Sequence, residues 1–160
     1  MDMTGEITLP APREAVWIAL NDPAVLKDAI PGCEALEKVS DTEFTATVVT
    51  KVGPIKAKFS GRVLLTDMVA PVSYTISGEG QGGIAGFAKG GAEVALEATD
   101  HDRTTLRYVV KAQVGGKIAQ LGARLIDSTA KKLSAQFFAR FAEIVTGGVS
   151  QPTSAEAGRD

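Results

Sequence analysis

The sequence predicts an α+β fold in which an antiparallel sheet of about seven strands lies against one long C-terminal helix, with two short helices after the first strand. Three observations carry this. From Lys117 to Thr146 apolar residues recur at helical spacing, through Ile118, Leu125, Leu133, Phe137, Phe141 and Ile144, with no proline and one internal glycine. Lys117, Arg124, Asp127, Lys131, Arg140 and Glu143 form an opposite polar face, so one side of the helix meets water. From Glu34 to Val114 the pattern changes to period two, broken by turn residues. The helix would be ~45 Å long, a reach that a broad sheet matches. Finally, 160 residues of which 44% are hydrophobic suffice for one domain with a real core.

Met3, Gly5, Ile7 and Leu9 alternate with polar residues and read as a short strand closed by Pro10 and Pro12. Pro12 suits the first turn of a helix that puts Val16, Trp17 and Leu20 on one side. Asp22 then caps a second, shorter helix from Pro23, carrying Val25, Leu26 and Ala29 and stopped at Pro31-Gly32. Strands follow at Glu43 to Lys51 and at Ile55 to Leu65, joined by a Gly53-Pro54 turn. Asp67 to Pro71 reads as a turn and Ser73 to Ser77 as a strand with Tyr74 and Ile76 inward, where a buried phenol needs a partner. A strand from Gly86 to Leu96, a hairpin tip at Asp100-His101-Asp102 and a strand from Leu106 to Val114 complete the sheet. From Gly147 to Asp160 the composition is small, polar and charged, which predicts a disordered tail after a domain spanning 1–146.

Gly78 to Gly91 holds seven of the seventeen glycines. Gly78, Gly80 and Gly83 have G-x-G-x-x-G spacing, but the dinucleotide fingerprint needs a helix to open at its third glycine, and here a strand pattern follows. One reading of these glycines is a tight turn and a twisted strand. The other is that Gly86, Ala88, Gly90 and Ala92 face inward beneath the small-residue half of the long helix, around Ala119, Gly122 and Ala123, and leave a gap. Close packing then calls for an apolar ligand. This places the expected cavity between that strand and the helix turns from Ile118 to Ile126, away from Phe137, Phe138 and Phe141.

Other chemistry has little support. A net charge of −2 with dispersed cations does not suggest nucleic-acid binding. Cys33 is the sole cysteine and has no basic neighbour to activate it, while His101, the sole histidine, sits in a turn, so neither a catalytic pair nor a metal cluster is expected. The N-terminus has no secretory pattern and no run spans a bilayer, which makes the cytoplasm the expected location.

The order of elements resembles the helix-grip fold of the START and Bet v 1 superfamily, in which a curved sheet grips the helix around an apolar cavity. Leu20-Asn21-Asp22-Pro23-Ala24-Val25-Leu26 with Ile30-Pro31-Gly32-Cys33, and the run from Gly78 to Gly90, resemble the two signatures of the carbon monoxide dehydrogenase G-subunit family; the helix opening at Gly115-Gly116-Lys117-Ile118 is similar too. The resemblance implies a non-catalytic carrier of an apolar ligand, a quinone, serving a carbon monoxide dehydrogenase-type molybdenum hydroxylase, with transient contact at the inner face of the cell membrane and no covalent cofactor. Alternatives are a docking or maturation factor without a ligand and a polyketide cyclase-like enzyme. Some family members carry a hydrophobic C-terminal anchor, from which the polar tail departs. The expected ligand contacts are Leu26 and Ile30 on the second helix, which is also the candidate gate. On the strands they are Phe59, Tyr74, Ile76, Phe87, Ala88, Gly90 and Tyr108. On the long helix they are Ile118, Leu121, Gly122, Leu125 and Ile126.

Overall fold

The computed structural model describes residues 1–147; the expected tail beyond Gly147 lies outside the described residues. In chain order the elements are β1 (Asp2–Leu9), α1 (Arg13–Leu20), α2 (Pro23–Ala29), β2 (Cys33–Ser40), β3 (Glu43–Val52), β4 (Ile55–Val69), β5 (Ser73–Gln81), β6 (Phe87–Asp100), β7 (Arg103–Gly115) and α3 (Ala123–Val145). The seven strands form one curved antiparallel sheet in the order β1-β7-β6-β5-β4-β3-β2, so a single crossover, made through α1 and α2, carries the chain from one edge to the other. This is the helix-grip arrangement, with α3 across the face that receives the inward side chains.

Local chemistry explains most boundaries. Asp22 Oδ1 accepts from the Ala24 amide at 2.9 Å and Pro23 occupies the first helical position, so α2 starts where a donor would otherwise be unsatisfied. Pro12 is the residue preceding α1 rather than part of its first turn. β4 continues past the turn expected at Asp67; Asp67, with φ 52°, forms a bulge that shifts the β4–β5 register between Thr66 and Val69. β5 likewise passes through Gly78 and Gly80, paired to Gly90 and Ala88, and turns only at a 3₁₀-helix over Gly83–Ala85.

The largest departure is in the long helix. The expected continuous helix from Lys117 is instead a 3₁₀-helix over Lys117–Leu121, a break at Gly122, and then α3. Gly122 has φ 96° and ψ 153°, a conformation open almost only to glycine, so the chain changes direction there. The 23 residues of α3 span ~35 Å.

The apolar interior is divided in two. The main core gathers Leu9, Val16, Leu20, Phe44, Leu65, Leu106 and Phe141, where α1 and the C-terminal half of α3 meet the sheet. A smaller core of Val52, Ala57, Ala85 and Ile118 closes the opposite end, under the β3–β4 hairpin and the two 3₁₀-helices. Phe141 is the one fully buried residue of α3. Ile126, Ala130 and Leu133, on the same helical face, are only half-buried.

Candidate functional site

Set into the main core, against Leu20, Phe44, Leu65 and Leu106, lies an apolar cavity of about 310 Å³. Its sheet wall carries Ile76, Ala92, Val94 and Val110, its helical wall Phe137 and Phe138, and α2 contributes Leu26, with Ile30 just beyond its end. It runs without interruption into an open apolar groove of about 370 Å³, because Ala46, Val63, Ile76, Ala92 and Val110 border both. The floor of the groove loses side-chain volume row by row. Ile76, Ala92 and Val110 stand abreast, then Gly78, Gly90 and Ala112, then Gly61, Gly80 and Ala88.

These glycines have different physical reasons. A Cβ at Gly61 or Gly90 would strike the backbone of the next strand, so close strand approach requires glycine there. At Gly78 and Gly80 an added Cβ meets its nearest neighbour only at 3.5 and 3.7 Å, an ordinary contact. The backbone tolerates side chains at 78 and 80, and their absence keeps the groove open.

The cavity lining has no charged side chain, and its polar groups are Tyr74, Tyr108 and Ser134. Tyr74, 5% exposed, sets its ring edge-on to Trp17 at 5.3 Å between centroids. Burial raises its pKa well above the usual phenol value, so it stays a protonated donor. Its hydroxyl makes no hydrogen bond among the described residues, and the sealed side-chain atom lacking a partner is Arg13 Nε, so the Tyr74 oxygen borders open space. Tyr108 differs. Its ring stacks on Phe138 at 5.2 Å, and its hydroxyl end lies over Gly5 of β1, occupying the space of a missing Cβ. The Ser134 hydroxyl is turned to Met3 Sδ at 4.0 Å.

The profile of the carbon monoxide dehydrogenase G-subunit family, CoxG, matches residues 5–146. The chain belongs to that family. Its structure is similar to a conserved protein from Geobacillus kaustophilus, at 30% identity and TM-score 0.85 over 91% of this chain and 95% of that one. It shares the fold of the Zhui aromatase/cyclase from a Streptomyces species, at 14% identity and TM-score 0.71 over 94% and 96% of the two chains. A START superfamily protein from Mycobacterium smegmatis also has it, at 11% identity and TM-score 0.69 over 91% and 97%. No curated protein sequence matches.

The two CoxG signatures fall on the site. The first builds the Asp22 cap and the α2 wall; the second builds the glycine floor, the turn bearing Ile84 and the start of β6. Of the residues singled out from the sequence, Leu26, Ile30, Tyr74, Ile76 and Tyr108 line the enclosed cavity. Phe59, Ala88 and Gly90 line the groove, with Ile76 shared. Ile118 and Leu121 belong instead to the small core, and Leu125 packs near Gly53 and Leu121. Gly122 is exposed with nothing near its missing Cβ, and Ile126 is half-buried outside both spaces. Phe87 points to the face opposite Ala88 and covers Gly115.

The enclosed cavity therefore lies beside Phe137 and Phe138, not beneath the turns from Ile118 to Ile126. Small side chains on one wall do not fix a void when the opposing segment bends away, as it does at Gly122. Among the lining residues that sequence reasoning missed are Phe44, Leu65, Leu106, Phe137, Phe138, Val110 and Ser134, although Val110 lies on the inward alternation of β7 and so could have been found.

Outside the cavity, His101 is exposed and pairs with Asp102 at 3.0 Å. The Cys33 thiol, pushed up by burial, donates to the Ala35 carbonyl at 3.4 Å. Among the described residues no cluster of metal-ligating side chains forms. α2 is tied to α3 by a two-pronged ion pair: Arg140 Nε and Nη2 donate to the two Asp28 oxygens at 3.1 and 2.6 Å, holding that carboxyl below the usual range.

Proposed function

We propose that this protein is a non-catalytic carrier of a neutral apolar molecule, a quinone, working with a carbon monoxide dehydrogenase-type molybdenum hydroxylase. The carrying observation is the partly enclosed apolar cavity adjoining an equally apolar groove, together about the size of ordinary small-molecule sites. Membership of the CoxG family supports the choice of enzyme partner. No helix of the described residues is long and apolar enough to cross a membrane, so the reading assigns membrane contact to a surface. The end beyond the small core fits that role, since Ile84 is 90% exposed and the exposed Lys51, Lys56 and Lys117 adjoin that core in sequence. Loading runs along the open groove, which needs no movement of α2.

The deciding experiment is organic extraction and mass spectrometry of protein purified from cells that express the hydroxylase. The expected result is a stoichiometric isoprenoid quinone, and protein that copurifies with no apolar molecule and takes none from liposomes would overturn the reading. A cyclase-like enzyme is the second reading, favoured by the buried phenol Tyr74, which lines the cavity without a hydrogen bond among the described residues. It predicts turnover of a polyketide probe that Tyr74→Phe abolishes.

A further inference from the structure

We infer that Tyr74 is the specificity-determining group of the cavity: it donates a hydrogen bond to a carbonyl-type oxygen on the ring end of the ligand, while the apolar tail lies outward along the Gly78–Gly80 floor. This rests on the carrier reading and adds to it an orientation and a selectivity.

A buried hydroxyl without a partner costs free energy, and folded chains rarely keep one. Tyr74 is 5% exposed, its hydroxyl makes no hydrogen bond among the described residues, its oxygen is not fully sealed, and the residue borders the cavity, so an acceptor seated there would give the phenol the partner it lacks. The other polar groups of the lining point elsewhere, although the Tyr108 hydroxyl also makes no hydrogen bond among the described residues. Tyr108 carries its hydroxyl over Gly5, and Ser134 faces Met3. A lining with phenol donors and no cation selects a neutral molecule with an acceptor. It disfavours a carboxylate such as a fatty acid, whose charge would be desolvated without a counterion. It also leaves a pure hydrocarbon unable to satisfy the phenol.

Orientation follows from the sheet. Tyr74, Ile76, Gly78 and Gly80 lie on one face of β5, so the distance from the phenol-bearing residue to the last glycine is about 20 Å at ~3.4 Å per residue. The space is more sheltered at the Tyr74 end and more open at the glycine end. The cavity, at about 310 Å³, suits a ring system, and an extended chain then has only the groove to follow.

The test measures binding by quenching of Trp17, the protein's one tryptophan, which touches Tyr74. The probes are menadione, menadione bearing a short prenyl chain, methylnaphthalene and palmitate. Wild-type protein is expected to prefer menadione to both methylnaphthalene and palmitate. Tyr74→Phe should weaken menadione about tenfold and leave methylnaphthalene unchanged, the loss of one neutral hydrogen bond. The same variant should melt no lower than wild type, because no bond inside the free protein is lost; a lower melting point would mark Tyr74 as merely structural. Gly80→Val should remove the gain in affinity that the prenyl chain brings. If wild type binds none of the four probes, the carrier reading fails along with this inference. If it binds menadione but Tyr74→Phe binds equally well, or if palmitate binds as tightly, the inference alone is overturned.

Discussion

The two ends of α3 meet the sheet in opposite ways. At the C-terminal end Phe141 is 0% exposed among Leu9, Val16, Leu20 and Leu106, with Phe137 stacked on it at 5.6 Å. At the N-terminal end the sheet offers glycine and alanine, while Ile126, Ala130 and Leu133 stay half-buried. One half of the interface holds the fold together, and the other keeps a volume that the fold does not fill. The groove end is thus loosely packed, while the cavity beside Phe137 and Phe138 is set into the main core itself.

Substitutions at each end should break this contrast if it is wrong. Phe141→Ala should cost about 3–5 kcal/mol in chemical denaturation, whereas Gly80→Val should move the unfolding midpoint little, because its Cβ has ordinary room. Comparable losses at the two sites would erase the distinction. Gly122→Leu comes next, at about 1–3 kcal/mol, through backbone strain at φ 96° and with ligand affinity retained. Lost affinity in the folded variant would return the cavity to that end of the helix.

Asp28→Asn should have a smaller effect. The Asp28 pKa is lowered in the folded protein, so the pair contributes stability above the ordinary carboxylate range and loses it as pH falls through the lowered value. Unfolding midpoints of the variant and wild type should differ slightly at pH 7 and converge in acid. Exchange of prenylated menadione with liposomes should keep its rate, since entry uses the groove; acceleration would reinstate α2 as a gate. His101→Ala and Cys33→Ser, singly and together, should leave probe binding unaltered, because both side chains lie outside the cavity and groove. A binding defect at either position would mean a site elsewhere.

The strands were readable because one face of the sheet is buried and its alternation survives in sequence, and α2 was readable from Asp22 and Pro23. The break at Gly122 was not, since Ile118, Leu121, Leu125 and Ile126 keep helical spacing across a junction where a 3₁₀-helix ends and α3 begins in a new direction. The extent of β5 was obscured because Gly78 and Gly80 carry no side chain to alternate. Inward orientation of Tyr74 and Ile76 could be read from β5 alone. The position of the cavity depends also on how far α3 stands from the sheet, and that distance is a property of packing rather than of any local pattern.

On the carrier reading, the unfilled floor over Gly78 and Gly80 ties the lifetime of the molecule to its cargo. A ligand that seats there becomes part of the interior, and at a hundredfold excess over its dissociation constant it adds about 2.7 kcal/mol to stability. Delivery removes that increment, so the emptied protein is the form that opens more often and meets proteases sooner. Cells starved of the ligand should therefore hold less of the protein at unchanged messenger levels, which pulse-chase labelling would measure.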